Sequence, residues 1–261
     1  MKRRNFVAAT ALAAASPVLT ADASREGADR QYLEMRRWHT LIGSKKGFLE
    51  KFLHEAAIPA WNRLGIGPVG VFNVMFGQSS PTLYVLLPHN SLESVVTATR
   101  RMLADEEFLG KGSEFLNCAM SDPSYVRYES SLMTAFSHMP KVEVPDAVKN
   151  KDSRIFEMRT YESHSEIKAK KKIEMFNEGG EIEIFRQTGL HPVFFGESII
   201  GPQLPNLTYM LAFEDMDARY KNWDVFRNSP AWKELSGKEE YRDTVSNISD
   251  LILRPRPCSQ I

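Results

Sequence analysis

Residues 155–161 read IFEMRTY, and residues 32–38 read YLEMRRW, so the same Glu-Met-Arg core occurs twice in the chain. The correspondence continues at nearly the same spacing, because Gly65 matches Gly189 further along each copy. A duplication that keeps its spacing over most of a chain is typical of two copies of one structural unit. The sequence therefore predicts two tandem repeats.

Each repeat predicts the element order β-α-β-β-α-β. Residues 155–161 alternate apolar and polar side chains, which is typical of a strand with two different faces, and apolar residues spaced three to four apart then predict a helix. Two apolar runs around a Gly- and Pro-rich turn predict a hairpin, and another helix and strand complete a ferredoxin-like unit. We therefore expect an α+β fold in which two tandem ferredoxin-like units pack sheet to sheet as an intrachain α+β barrel.

The predicted boundaries follow from this repeat. They are an export signal at 1–23, a first repeat at 31–134, a linker at 135–153, a second repeat at 154–254 and a tail at 255–261. The signal is twin-arginine-like, because Arg3 and Arg4 precede an alanine-rich run and a small-x-small cleavage pattern. It predicts a periplasmic or otherwise exported protein.

Composition excludes some classes of partner. The chain has 33 Lys and Arg against 33 Asp and Glu, so it lacks the net positive charge that nucleic-acid binding demands. No apolar run reaches the length of a membrane span. A small molecule is the expected partner, and the sequence leaves open whether the chain forms a homo-oligomer.

The candidate ligand-binding residues are the polar members of the two matching strands, which we expect to face the barrel interior. They are Glu34, Arg36 and Trp38 in the first repeat, and Glu157, Arg159 and Tyr161 in the second. One interpretation is a buried Glu-Arg network that sets the register of the strands. The other is a site in which the two guanidinium groups bind a carboxylate or enolate between aromatic rings.

The histidines and cysteines give weaker signals. None of the six histidines has the spacing of a metal-binding pair, so we predict no metal site and no cofactor. His191 stays a candidate at the barrel mouth, as a general base, because it replaces a glycine of the first repeat. Whether Cys118 and Cys258 pair is left open.

The second repeat resembles the NIPSNAP family. The resemblance rests on the strand at 156–161, the double glycine at 179–180, the segment 188–193 and Trp223 ahead of 229–232. It covers residues 154–254, and the first repeat looks like a more diverged copy without the double glycine. Membership implies the dimeric α+β barrel superfamily, which includes heme-degrading enzymes and cofactor-free monooxygenases.

The sequence supports three functional hypotheses. The first is an exported protein that binds a small organic ligand in the barrel, with or without catalysis. The second is a non-catalytic interaction or structural protein whose barrel is filled with side chains. The third, which rests on the resemblance, is a heme-binding enzyme with His191 as the heme ligand, or a cofactor-free monooxygenase-like enzyme.

Overall fold

The computed structural model describes residues 30–76, 81–149 and 151–261, so the predicted export signal at 1–23 lies outside the described residues. The strands are β1 (Tyr32–His39), β2 (Gly70–Phe76), β3 (Thr82–His89), β4 (Arg127–Ala135), β5 (Ile155–Glu162), β6 (His191–Ile200), β7 (Asn206–Phe213) and β8 (Asn247–Pro255). The helices of the first repeat are α1 (Lys45–Phe52), continued by a π-helical turn (Leu53–Ala57) into α2 (Ile58–Arg63), then α3 (Leu92–Met102), α4 (Glu106–Lys111) and α5 (Ser113–Leu116). Those of the second are α6 (Glu166–Phe176), α7 (Glu181–Gln187), α8 (Met216–Asn228) and α9 (Pro230–Gly237), followed by a 3₁₀ turn (Glu239–Tyr241).

The strands of the two repeats form one closed antiparallel barrel in the described part of the chain, in the order β1-β3-β2-β8-β5-β7-β6-β4. The ladders β2–β8 and β4–β6 join one repeat to the other and close the barrel. The predicted α+β barrel of two tandem ferredoxin-like units is confirmed. Because closure needs only strands of this chain, a second copy is not required to cover the sheet edges.

The prediction that the Glu-x-Arg-x-aromatic rows face the barrel interior is wrong. The interior core contains the residues between them, such as Leu33 and Met35 of β1 and Phe156 and Met158 of β5. Glu34, Arg36 and Trp38, together with Glu157, Arg159 and Tyr161, lie on the outer face beneath the helices of their own repeat. Both faces of this sheet are covered, so alternation separates two faces without showing which of them the helices cover.

The linker and the tail close one end of the barrel. Val148 of the linker and Ile261 of the tail pack into the interior core. The tail is also bonded to the first repeat, since the Gln260 amide donates to the Val69 carbonyl at 2.8 Å. These segments therefore contribute to the core as well as connecting and ending the repeats. In the described part of the chain, no helix has both the length and the apolar character needed to cross a membrane.

Candidate functional site

A cavity of about 450 Å³ lies between the outer face of the sheet and the helices of the first repeat. We call it the aromatic cavity. Its walls include the rings of Trp38, Phe52, Trp61, Phe108, Phe115, Tyr125 and Tyr128. Among the described residues that line it, Arg36 has the one charged side chain, and the cavity volume is within the range of pockets that hold small organic ligands.

The cavity exists because the first repeat has small side chains where the second has large ones. The strand registers place Val85 and Tyr209 at equivalent positions, opposite Arg36 and Arg159 respectively. By the spacing of the repeat, Thr99 likewise corresponds to Trp223. In the second repeat both large rings are buried and occupy this space. Thr99 lines the cavity, and a threonine in place of the Trp223 ring leaves a volume that nearby side chains do not fill.

Arg36 is held rigidly at the base of the cavity by Glu34. Its Nε and Nη2 atoms donate to the two carboxylate oxygens at 2.7 and 3.1 Å, and both residues are over 90% buried. The Ser130 hydroxyl donates to the same carboxylate at 2.7 Å, and His89 Nε2 lies 3.3 Å from it. Burial by itself would raise the pKa of Glu34, but the hydrogen bond to His89 and the charge of Arg36 outweigh it and lower that pKa to about 2.

Aromatic rings surround the Arg36 guanidinium. Its central carbon lies 5.5 Å from the ring centroid of Trp61 and 5.6 Å from that of Tyr128, which is within cation–π range. Trp38 stacks on Tyr128 with the ring centroids 4.7 Å apart. The bonds to Glu34 use Nε and Nη2, so they leave the Nη1 group available to a ligand. The cavity thus combines aromatic walls with the fixed Arg36 guanidinium, whose charge is balanced by the Glu34 carboxylate.

The equivalent region of the second repeat is a packed polar network. Glu157 has no exposed surface and accepts hydrogen bonds from Arg159, from Trp223 and twice from Arg219, at 2.6 to 3.0 Å. The Tyr161 hydroxyl bonds that of Tyr209 at 2.8 Å. These groups bond one another in the core, although the buried Arg159 Nε has no hydrogen-bond partner, and this arrangement agrees with the structural interpretation of the row.

The structure therefore separates the sequence candidates into three groups. Glu34, Arg36 and Trp38 meet at the aromatic cavity, whereas Glu157, Arg159 and Tyr161 belong to the packed network. His191 begins β6, outside the lining of the aromatic cavity, and its pKa is lowered by burial.

Sequence reasoning missed several residues that matter here. His89 replaces the apolar Phe213 of the second repeat, and a polar residue at an otherwise apolar repeat position is a signal that could have identified it. The comparison of Thr99 with Trp223 and of Val85 with Tyr209 could also have located the cavity. Trp61 could not have been assigned, because an aromatic residue on a helix is usually part of the core.

The described residues contain no group of three or more His, Cys, Asp or Glu side chains that could hold a metal ion. Both cysteines lie in this part of the chain and are free thiols. Cys118 lines the aromatic cavity, and a hydrogen bond with Ser124 lowers its pKa. No disulfide links the repeats.

Comparison with known proteins gives a family-model match for the second repeat and similar folds for most of the chain. Residues 156–260 match the family model NIPSNAP. The barrel is similar to the crystal structure of a proposed monooxygenase from Lactobacillus acidophilus, with a TM-score of 0.55 and 10% identity over 87% of this chain and 94% of that one. A second proposed monooxygenase, from Fusobacterium nucleatum, also has a TM-score of 0.55, with 9% identity over 87% of this chain and 92% of that one. A NIPSNAP-like domain protein from Burkholderia xenovorans matches at 21% identity over 41% of this chain and 88% of its own length, with a TM-score of 0.37. No curated protein matches significantly.

Proposed function

We propose that the protein, whose residues 156–260 match the family model NIPSNAP, binds a small aromatic ligand in the aromatic cavity of its first repeat. The ligand carries a carboxylate or another anionic oxygen. The observation that supports this proposal is Arg36, which lines the aromatic cavity with its Nη1 group unused by Glu34.

The walls determine the apolar part of the ligand. Flat rings at Trp38, Trp61 and Phe115 favour a planar aromatic body, because offset-stacked and edge-to-face contacts add to the burial of apolar surface. A volume of about 450 Å³ accommodates a ligand of two or three fused rings.

Arg36 determines the polar part. A guanidinium group binds a carboxylate or enolate by charge-assisted hydrogen bonds, which are stronger when water is excluded. Glu34 holds Arg36 in place, so little side-chain freedom is lost when the ligand binds. The ligand oxygen becomes an additional acceptor for a group that is already oriented.

The chemistry of the site favours binding over proton transfer. An effective general base has a pKa near the working pH, whereas the pKa of Glu34 is about 2. A heme-binding role through His191 gains no support, because this histidine lies outside the lining of the cavity. Among the described residues that line the aromatic cavity, Cys118 is the one whose side chain commonly binds a metal ion.

The test uses naphthoate as the ligand and the neutral naphthalenemethanol as its uncharged analogue. We expect naphthoate to raise the Tm and to quench the fluorescence of Trp38 and Trp61. Thr99→Trp introduces the side chain found in the second repeat, fills the cavity and abolishes this response. Arg36→Gln weakens naphthoate binding about tenfold or more and affects the neutral analogue much less.

The matched control is Arg63→Gln, which removes a surface arginine of the same repeat that pairs with Asp105 outside the cavity. It should bind naphthoate like the unmodified protein. Equal naphthoate binding by the unmodified protein and Thr99→Trp, with both folded by circular dichroism, would refute the assignment of the cavity.

We also propose that residues 1–23 act as an export signal, on the basis of Arg3 and Arg4. The test is fractionation of bacterial cells that express the full chain. We expect the protein outside the cytoplasm, and we expect the double change Arg3→Lys and Arg4→Lys to retain it inside. An unchanged distribution would refute a twin-arginine route.

A further inference from the structure

A second cavity, of about 380 Å³, lies inside the barrel near the C-terminal ends of β1 and β5. We call it the barrel cavity. The apolar interior core and the linker and tail residues packed into it fill the opposite part of the barrel. The exposed residues Gln203 and Asn247 lie at its edge, so it is connected to solvent.

The barrel cavity arises from a second asymmetry between the repeats, on the opposite face of the sheet. In β5 the inward position is Thr160, which pairs in register with Thr208 of β7 and Ser249 of β8. We call these three residues the hydroxyl row. In the first repeat the corresponding inward position is Arg37, paired with Tyr84. Three small side chains thus face two large ones, and space remains between them.

The lining of the barrel cavity is preorganised for hydrogen bonding. The hydroxyls of Thr160 and Thr208 lie 2.9 Å apart. Ser198 donates to the Asn206 side-chain carbonyl at 2.7 Å, and the Asn206 amide donates to the Pro202 carbonyl at 3.0 Å. Each hydroxyl can both donate and accept, so these groups retain capacity for a ligand.

Arg37 and the exposed Asp250 are the charged residues among the described residues that line this cavity. Arg37 forms an ion pair with Glu129, with Nη2 and Oε2 2.5 Å apart. Burial raises the pKa of Tyr84, so its phenol stays neutral at physiological pH. The floor consists of apolar thioether side chains, including Met133 and Met158. The cavity therefore offers many neutral donors and acceptors, one ion-paired arginine and one exposed carboxylate.

We propose that the barrel cavity binds a neutral polyhydroxylated compound of monosaccharide size. Its hydroxyl groups would exchange bonds with Thr160, Thr208 and Asn206, while its C–H faces would contact the methionine floor and the Tyr84 ring. A compound with alternating hydroxyl and C–H surface matches this lining better than an anion, because most of the lining is neutral and the Asp250 carboxylate would repel an anion. The site is independent of the aromatic cavity, which lies on the other side of the sheet.

The experiment follows the methionine methyl groups by NMR in protein labelled at those methyls, with glucose and myo-inositol as neutral probes and gluconate as the anionic comparison. We expect saturable shifts of Met133 and Met158 with at least one neutral probe. Met139, which packs in the core beneath the helices of the second repeat, should not shift.

Two changes test the hydroxyl row. Thr160→Val keeps the shape of the side chain and removes its hydroxyl, and we expect it to weaken binding about tenfold. Thr208→Tyr introduces the residue that the first repeat has at this position and should abolish the shifts. Thr99→Trp, which fills the aromatic cavity, should leave them unchanged, so failure of either proposal can be distinguished from failure of the other.

Three outcomes would overturn the proposal. The first is that neither glucose nor myo-inositol causes shifts. The second is a stronger response to gluconate than to both neutral probes, and the third is unchanged binding by a folded Thr160→Val protein.

Discussion

Replacing Glu34 by Gln should make the protein less stable by an amount that depends on pH. Glu34 is buried, and the groups that contact it lower its pKa from 4.5 to about 2. Because one pKa unit corresponds to about 1.4 kcal/mol, this shift is equivalent to about 3 kcal/mol of stability. Glu34→Gln keeps the size of the side chain and removes the charge that balances Arg36.

The sign follows from the direction of the shift. A carboxyl whose pKa is lowered by folding stabilises the protein fully when the pH is above its pKa in the unfolded state. That stabilisation is lost as the pH falls through its pKa in the folded state. We therefore expect the free energy of unfolding of the unmodified protein to be about 3 kcal/mol higher than that of Glu34→Gln above pH 5. At pH 3 the unfolded chain is largely protonated at this position, and the difference should fall to about 1 kcal/mol.

The assay is urea unfolding of both proteins between pH 7 and pH 3, followed by circular dichroism, with free energies of unfolding from linear extrapolation. Glu107→Gln is the control, because Glu107 forms ion pairs on the surface with Arg63 and Lys111. Solvent screens these pairs, so no pH-dependent difference should be resolved. A Glu34→Gln difference that stays constant from pH 6 to pH 3 would refute the inference that the Glu34 carboxylate is stabilised in the fold.

Three further predictions concern the second repeat and the thiols. Glu157→Gln should lower the free energy of unfolding by about 3 to 5 kcal/mol. Arg159→Ala should lower it by clearly less, because Arg219 would still contact both carboxylate oxygens of Glu157. Equal losses in urea unfolding would contradict this. Lys172→Met should lower the free energy of unfolding by about 3 to 5 kcal/mol, because it leaves Glu181 buried and unpaired. Adding Glu181→Met should recover much of this loss. A double variant no more stable than Lys172→Met would argue against this pairing. Both cysteines should react with a thiol reagent in the unfolded protein without prior reduction, whereas titration of fewer than two thiols would indicate a disulfide.

Periodicity and turn residues predicted the element order and the barrel because these signals are local. A strand such as β5 alternates over consecutive residues, and Gly189, the glycine of the repeat that follows α7, has a positive φ of 80°. The duplication then indicated that two such units share a core. None of this required knowledge of contacts between distant residues.

The same alternation could not identify the face on which a ligand binds. Glu34 and Glu157 occupy equivalent positions, yet one lies beside a cavity and the other in a packed network. The difference comes from Thr99 and Trp223, which are distant in sequence from the strands they cover. Volume left between elements depends on every side chain that reaches it, so a strand pattern does not encode it.

The sequence by itself determined the repeat, the barrel and the pairing of Glu with Arg on each first strand, because these follow from short-range patterns that occur twice. Only the tertiary structure decided that this row lies beneath the helices, and that the two repeats leave space on opposite faces of the sheet. The physical reason is that both faces are buried. Which side chains fill them is settled where helices and strands of distant sequence meet.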